Sequence, residues 1–257
     1  VDYIEVNKAA WDKRAKVHVG SKFYDVEAFV AGKSSLNEIE LAEVGEVKGK
    51  SLLHLQCHFG QDTLSWARMG AKVTGVDLST EAITQARQLA ETIGQEAHFI
   101  AQDIYTFGEE NQTQFDHVFT SYGVLCWLPD LDKWAQTVSA ALKPGGQFNL
   151  VEFHSFNDLL SGYNYFEQHH ADVEEEGTYT ENCDGETSVM MTWPHPLSEV
   201  VNALIKAGIQ IESLNEFPYS PYNCFEGLEL VAGKGYQMLF KGQQVPLVYS
   251  IKGRKAC

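Results

Sequence analysis

The stretch LLHLQCHFGQD, Leu52 to Asp62, decides how this chain is read. Apolar and near-apolar positions run into a loop ending at Gly60, and the residues after it read as the start of a helix. The outline is that of a nucleotide-cradling turn after a first strand, although most of the glycines such a turn uses are absent. Working outward, SLLHL reads as a strand, GQDTLSWARMG as a helix closed by Gly70, and AKVTGVD as a second strand. STEAITQARQLAETIG reads as a helix with Ser79 as N-cap and Gly94 just past its end, followed by AHFIAQD as a third strand. Strand, helix, strand, helix, strand implies a parallel sheet with right-handed crossovers.

Further on, FDHVFTS predicts a fourth strand and Asp130 to Leu142 a helix stopped by Pro144, with Gly145 and Gly146 making a tight turn into a fifth strand, QFNLVEF. Residues 155–194 show no periodicity and read as a lid or binding insertion, with a disordered surface loop as the plainer alternative. PLSEVVNALIKAG then reads as a helix, with IQIESLNEF and VPLVYSIKGRK as strands. Between those two strands lies a second irregular segment, rich in aromatics and glycine. The first fifty residues read as helical and polar, with Trp11, Ala15 and Val19 on one stripe.

The chain has 257 residues and a formal charge of −16, which repels a phosphate backbone or an anionic membrane surface, so neither nucleic acid nor membrane is an expected partner. No apolar run spans a bilayer and no apolar signal core opens the sequence, which predicts a soluble, cytoplasmic protein. Five scattered cysteines, none in a C-x-x-C pair, read as reduced thiols. His169, His170, Asp172 and Cys183 read as solvated loop residues, and no metal is expected.

In an open parallel α/β sheet, ligands bind beyond the C-terminal strand ends. The residues there are Gln56, Cys57, His58 and Gly60 after strand one, Asp77 after strand two, Gln102, Asp103 and Ile104 after strand three, and Ser121, Tyr122 and Gly123 after strand four. A carboxylate at Asp77 can accept two hydrogen bonds from a ribose diol. A loop without lysine does not fit a P-loop, and the lack of G-x-G-x-x-G disfavours a nicotinamide-linked oxidoreductase.

This order resembles the class I S-adenosylmethionine-dependent methyltransferases, well over residues 50–153 and more loosely over 196–252. VTGVDLS, AQDI and LKPGGQFNLVE look like family segments, whereas LLHLQCHFG places His54 at the family's acidic position and Gln56 and His58 at two of its glycine positions. The resemblance implies a Rossmann-like open sheet, mostly parallel with an antiparallel last strand and helices on both faces. An N-terminal helical cap (1–49) would precede a methyltransferase domain (50–257) with lid insertions at about 155–194 and 218–244. It implies S-adenosylmethionine as cofactor and in-line methyl transfer to a small-molecule acceptor. A non-catalytic nucleoside-binding module and a NAD-linked oxidoreductase remain as alternatives.

By resemblance, the loop from Gln56 to Gly60, with Gln61, passes under the methionine moiety, Asp77 holds the ribose, Leu78 packs on the adenine, and Ser79 is a further cofactor-binding candidate. Gln102, Asp103 and Ile104 form the adenine side, while Ser121 and Tyr122 flank the sulfonium. Glycine permits positive φ, so the altered loop is expected to keep its path only if Gln56 has ordinary dihedrals. His154, after strand five, and Tyr122 are the candidate catalytic residues. Tyr24, Tyr179, Trp193, His195 and Tyr222 are candidates for the acceptor, and Trp11, Arg14 and His18 are positioned to close the site. Tyr163, Tyr165, Phe166 and Phe225 add to the aromatic character of the two irregular segments.

Overall fold

A computed structural model describes residues 2–257. Three helices lead: α1 (Tyr3–His18), α2 (Val26–Val30) and α3 (Glu38–Val44). The alternating part follows as β1 (Ser51–Leu55), α4 (Gln61–Arg68), β2 (Lys72–Asp77), α5 (Thr80–Ile93), β3 (His98–Ala101), α6 (Ile104–Glu110) and β4 (Phe115–Ser121). A short 3₁₀ turn at Leu125–Trp127, α7 (Leu131–Ala141) and β5 (Leu142–Phe153) complete it. The caps are those the sequence announces: the Ser79 side chain accepts from Ala82 N, Gly94 turns left-handed after α5, and Asp130 accepts from Lys133 N at the start of α7.

Residues 155–194 are more regular than their composition implies. They form α8 (Phe156–Leu160) and an antiparallel hairpin of β6 (Asp172–Glu176) and β7 (Ser188–Thr192). Alternation is hard to read in DVEEE because both faces of that strand are largely solvated. The hairpin is docked from a distance: Asn7 on α1 donates to the Met191 carbonyl at 2.8 Å and accepts from the Met191 amide at 2.9 Å. After α9 (Leu197–Lys206) and β8 (Ile209–Phe217), the second irregular segment holds two small hairpins, β9 (Glu229–Val231) with β10 (Gly235–Gln237) and β11 (Leu239–Phe240) with β12 (Gln243–Gln244). The chain then closes with β13 (Val248–Lys255).

The main sheet has the order β3-β2-β1-β4-β5-β13-β8. Strands β1 to β5 run parallel, and β13 is antiparallel to both β5 and β8. KPGG does not lie between helix and strand as expected. β5 starts at the buried Leu142, which pairs with Phe115 of β4, and the residues up to Gly146 bulge out before pairing resumes at His117–Gln147.

Both sheet faces are covered. Leu53 and Leu55 of β1 pack with α6, α7 and α9 around Trp134 and Phe148, while Leu52 joins Trp66 and Phe119 on the opposite face. A strand buried on both sides reads as an apolar run, which is why LLHL was legible. Among the described residues no helix is long and apolar enough to cross a membrane.

Candidate active site

A cavity of about 710 Å³ opens over the C-terminal ends of β1 to β4, roofed by α1 and the two irregular segments. At one end stands Asp77, the last residue of β2. Its Oδ2 accepts from the His58 amide at 2.8 Å and its Oδ1 from the Ser79 amide at 2.9 Å, which fixes the carboxylate and leaves lone pairs on both oxygens. Burial lifts its pKa from 3.8 to about 6, against the lowering effect of those two amides. Asp103 caps α6 through Oδ1 alone, accepting from Tyr105 N and Thr106 N, so Oδ2 takes no part in the cap. Leu78, Gln102 and Ile104 line the same end.

The loop after β1 crosses the middle of the cavity. Gln56, His58 and Gly60 have φ values of 56°, 51° and 80°, so the two replacements adopt the left-handed backbone that glycine would take. This overturns the expectation of ordinary dihedrals at Gln56. Each side chain is tied elsewhere: Gln56 Nε2 donates to the Val124 carbonyl at 2.8 Å, and His58 Nε2 shares a 2.8 Å hydrogen bond with His18 Nδ1 on α1. The other His18 nitrogen meets Thr178 Oγ1, so cofactor loop, cap helix and lid join in one chain of contacts. Burial pushes His18 down to about 3 and His58 well below the usual histidine value, so the pair is neutral at pH 7. Within this loop the remaining glycine is also required by space, since a Cβ at Gly60 would sit 2.8 Å from the Phe99 ring. Cys57 is buried, and Gln61 Nε2 donates to the Tyr24 carbonyl. His54 is held by Thr63 Oγ1 at 2.8 Å, its pKa pressed by burial to about 3.

The other end is aromatic. Tyr122, at φ 48° after β4, packs on Tyr222 and Phe153, and Phe153 packs on Phe225. The Tyr24 and Tyr179 hydroxyls bond each other, and Tyr222 Oη accepts from Asn37 Nδ2 at 2.9 Å. Tyr122 Oη and Glu40 Oε2 on α3 are both buried and face each other, each group acting on the other's titration. Burial lifts the Glu40 carboxyl to about 7, with the Asp62 charge adding to the effect. Asp62, in the first turn of α4, accepts from Ser35 Oγ at 2.6 Å and contacts Ser121 Oγ at 3.5 Å.

Four expected residues are not in this lining. His154 is turned away from the cavity: Nδ1 accepts from Phe156 N at 3.1 Å and Nε2 pairs with Glu216 on β8 at 2.8 Å, so one nitrogen is spent on the start of α8 and the other on β8. His195 is consumed by Glu199 and the Leu128 carbonyl, and Trp193 packs edge-on against Tyr3. Ser79 spends its hydroxyl on Asp12 and the α5 cap. Tyr163, Tyr165 and Phe166 also lie outside the cavity lining. Reading by sequence order missed Asp62 and Asn37. A carboxylate two residues past the glycine that caps α4 marks Asp62, whereas nothing local marks Asn37, at the start of α3, as part of the lining.

These residues fit a nucleoside cofactor with an amino-acid tail: fixed, half-buried carboxylates with spare lone pairs at one end, a backbone of glycine geometry in the middle, and an apolar wall beyond. Residues 52–146 match the family model described as a methyltransferase domain. The ubiquinone biosynthesis O-methyltransferase of Cronobacter sakazakii is 30% identical over 132 residues, 50% of this chain and 54% of that protein. Its counterpart from Shewanella pealeana is 33% identical over 119 residues, 46% and 49% of the two chains. The chain thus spans about half the length of these curated relatives. Among solved structures, an S-adenosylmethionine-dependent methyltransferase from Clostridium acetobutylicum superposes with a TM-score of 0.61 at 15% identity, covering 98% of this chain and 99% of that one. One from Mesorhizobium loti gives 0.58 at 20% identity, covering 88% and 100%. At such identities the likeness establishes the fold.

Proposed function

We propose, on the premise that this chain belongs to the class I S-adenosylmethionine-dependent methyltransferases, that it transfers a methyl group from that cofactor to a small-molecule acceptor. The observation that carries this reading is the sequence of features along one cavity, from Asp77 and Asp103 through the left-handed loop to the tyrosines around Tyr122. When bound, the cofactor supplies an electrophilic methyl on a sulfonium. Asp77 would accept the ribose hydroxyls, with Leu78 and Asp103 on the adenine side and the Gln56–Gly60 backbone beneath the methionine part.

In-line displacement asks the protein chiefly to align the nucleophile and exclude water. Tyr122, Tyr222, Tyr24 and Tyr179 provide an apolar, hydroxyl-edged wall for that purpose, and a concave site of this size, roofed on two sides, favours a small acceptor over a macromolecule. Tyr122, which follows β4 and lines the cavity with its hydroxyl toward Glu40, is the residue assigned to contact the acceptor.

Calorimetry with S-adenosylmethionine, S-adenosylhomocysteine and NAD tests the cofactor. Binding of the first two without NAD is the expected result, and no nucleoside binding at all would overturn the reading. Release of S-adenosylhomocysteine over a panel of phenols, amines and thiols tests transfer, and saturable cofactor binding with no turnover on any of them would favour a non-catalytic module. Tyr122→Phe should lower kcat by about tenfold or more while leaving S-adenosylhomocysteine affinity within about twofold.

A further inference from the structure

Trp11, Arg14 and His18 recur at a spacing that puts them on one stripe of α1, and that stripe faces the loop after β1. Arg14 is 8% exposed, lines the cavity, and has no carboxylate partner among the described residues. Its Nη2 donates to the Gly177 carbonyl at 3.0 Å and touches the Met190 sulfur, while its buried Nε has no acceptor. The Trp11 and Trp127 rings, edge-on to each other at 5.1 Å, lie 5.5 and 5.7 Å from Cζ and flank the guanidinium on one side. The one other cation in the lining, Lys33, is exposed and paired with Asp25. A buried cation without a counter-ion is costly, and a planar fork of donors is suited to a carboxylate.

We propose that Arg14 is the carboxylate-binding residue of this cavity and holds the α-carboxylate of the cofactor's methionine moiety, with Asp62 receiving the α-ammonium. This rests on the cofactor assignment above. With the ribose at the end of β2 and the adenine toward β3, the methionine part runs the other way, toward β1 and then β4, over the loop that α1 covers. Arg14 approaches that loop from the α1 side, beside His58. Asp62 rises from the helix that the same loop opens and reaches Ser121 at the end of β4. The two are charges of opposite sign, both without an ionic partner, placed for an amino-acid zwitterion.

The test is a cycle of protein and ligand: wild type and Arg14→Gln, each titrated calorimetrically with S-adenosylhomocysteine and with its decarboxylated analogue. Wild type should bind the analogue about 10- to 100-fold more weakly, and Arg14→Gln should bind the two nearly equally. Undiminished discrimination in Arg14→Gln, or none in wild type, overturns the assignment. Should Arg14→Gln fail to fold, Arg14→Lys keeps the charge without the fork, so discrimination shrinks without vanishing, and full discrimination in that variant counts against the proposal. Wild type that binds neither ligand refutes the cofactor reading itself, whereas equal binding of both refutes only the role of Arg14.

Discussion

Gln56 and His58 hold left-handed backbone at a cost of roughly 1–2 kcal/mol each, and their side chains offset it differently. Gln56 returns one hydrogen bond, to Val124 O, worth about 1 kcal/mol net. Gln56→Gly should therefore be close to neutral in urea denaturation. His58 bonds His18 and packs against Trp11, Tyr24 and Phe59, so His58→Gly should cost on the order of 2 kcal/mol. Equal effects at the two positions would contradict this account. Asp77 carries a separate prediction. A ribose diol needs the ionised carboxylate, but burial holds the free group's pKa near 6. Below that value the proton must leave before binding, so S-adenosylhomocysteine affinity should fall about tenfold per pH unit below 6, with proton release seen calorimetrically. Asp77→Asn should flatten that dependence.

At the scale of elements, the packing of β2 on β3 depends on close approach at Gly75. A Cβ there would stand 2.7 Å from the Phe99 ring and 2.8 Å from Cys57 Sγ, both buried. Gly75→Ala should destabilise by about 1–3 kcal/mol through overpacking, and Phe99→Leu should recover part of that loss in a double-mutant cycle. Strict additivity would show that the ring is not what the methyl meets. Elements such as β2 and α5 were legible because their signals are local: two-sided burial, the Ser79 cap and the Gly94 stop. The β6–β7 hairpin was not, because a solvated strand carries little hydrophobic pattern and its place depends on Asn7, far away in the sequence.

For the whole molecule, charge and burial act together. Glu40 and Asp158 are lifted to about 7 and Asp77 to about 6 by desolvation. Their folded pKa values lie above the unfolded ones, so the unfolded chain releases protons first as pH rises and stability falls between about pH 4 and 7. Fully buried Glu40 alone accounts for a loss of order 3 kcal/mol across that window. Asp116, held low by bonds to Lys143 and Ser51, acts in the opposite sense, and its contribution is lost below its unfolded pKa in acid. Urea unfolding at constant ionic strength should thus show lower stability at pH 8 than at pH 5, with a shallower slope in Glu40→Gln. The reverse order would refute the account, and the net charge of −16 works in the same direction as the buried acids.

What the sequence determined by itself is the α/β alternation and, through it, the crevice. A parallel sheet brings the C-terminal ends of its strands to one edge, so Asp77, Asp103 and Tyr122 share a cavity once SLLHL, KVTGVD, HFIA and FDHVFTS are strands. What tertiary structure decided is which distant side chains complete that cavity and which are withdrawn from it. His154 follows β5 as expected, yet it is taken by Glu216, 62 residues on. Arg14 and Asn37 reach Gly177 and Tyr222 across 163 and 185 residues. Periodicity and capping act within a few residues, while pairing over such spans depends on where packed elements come to rest.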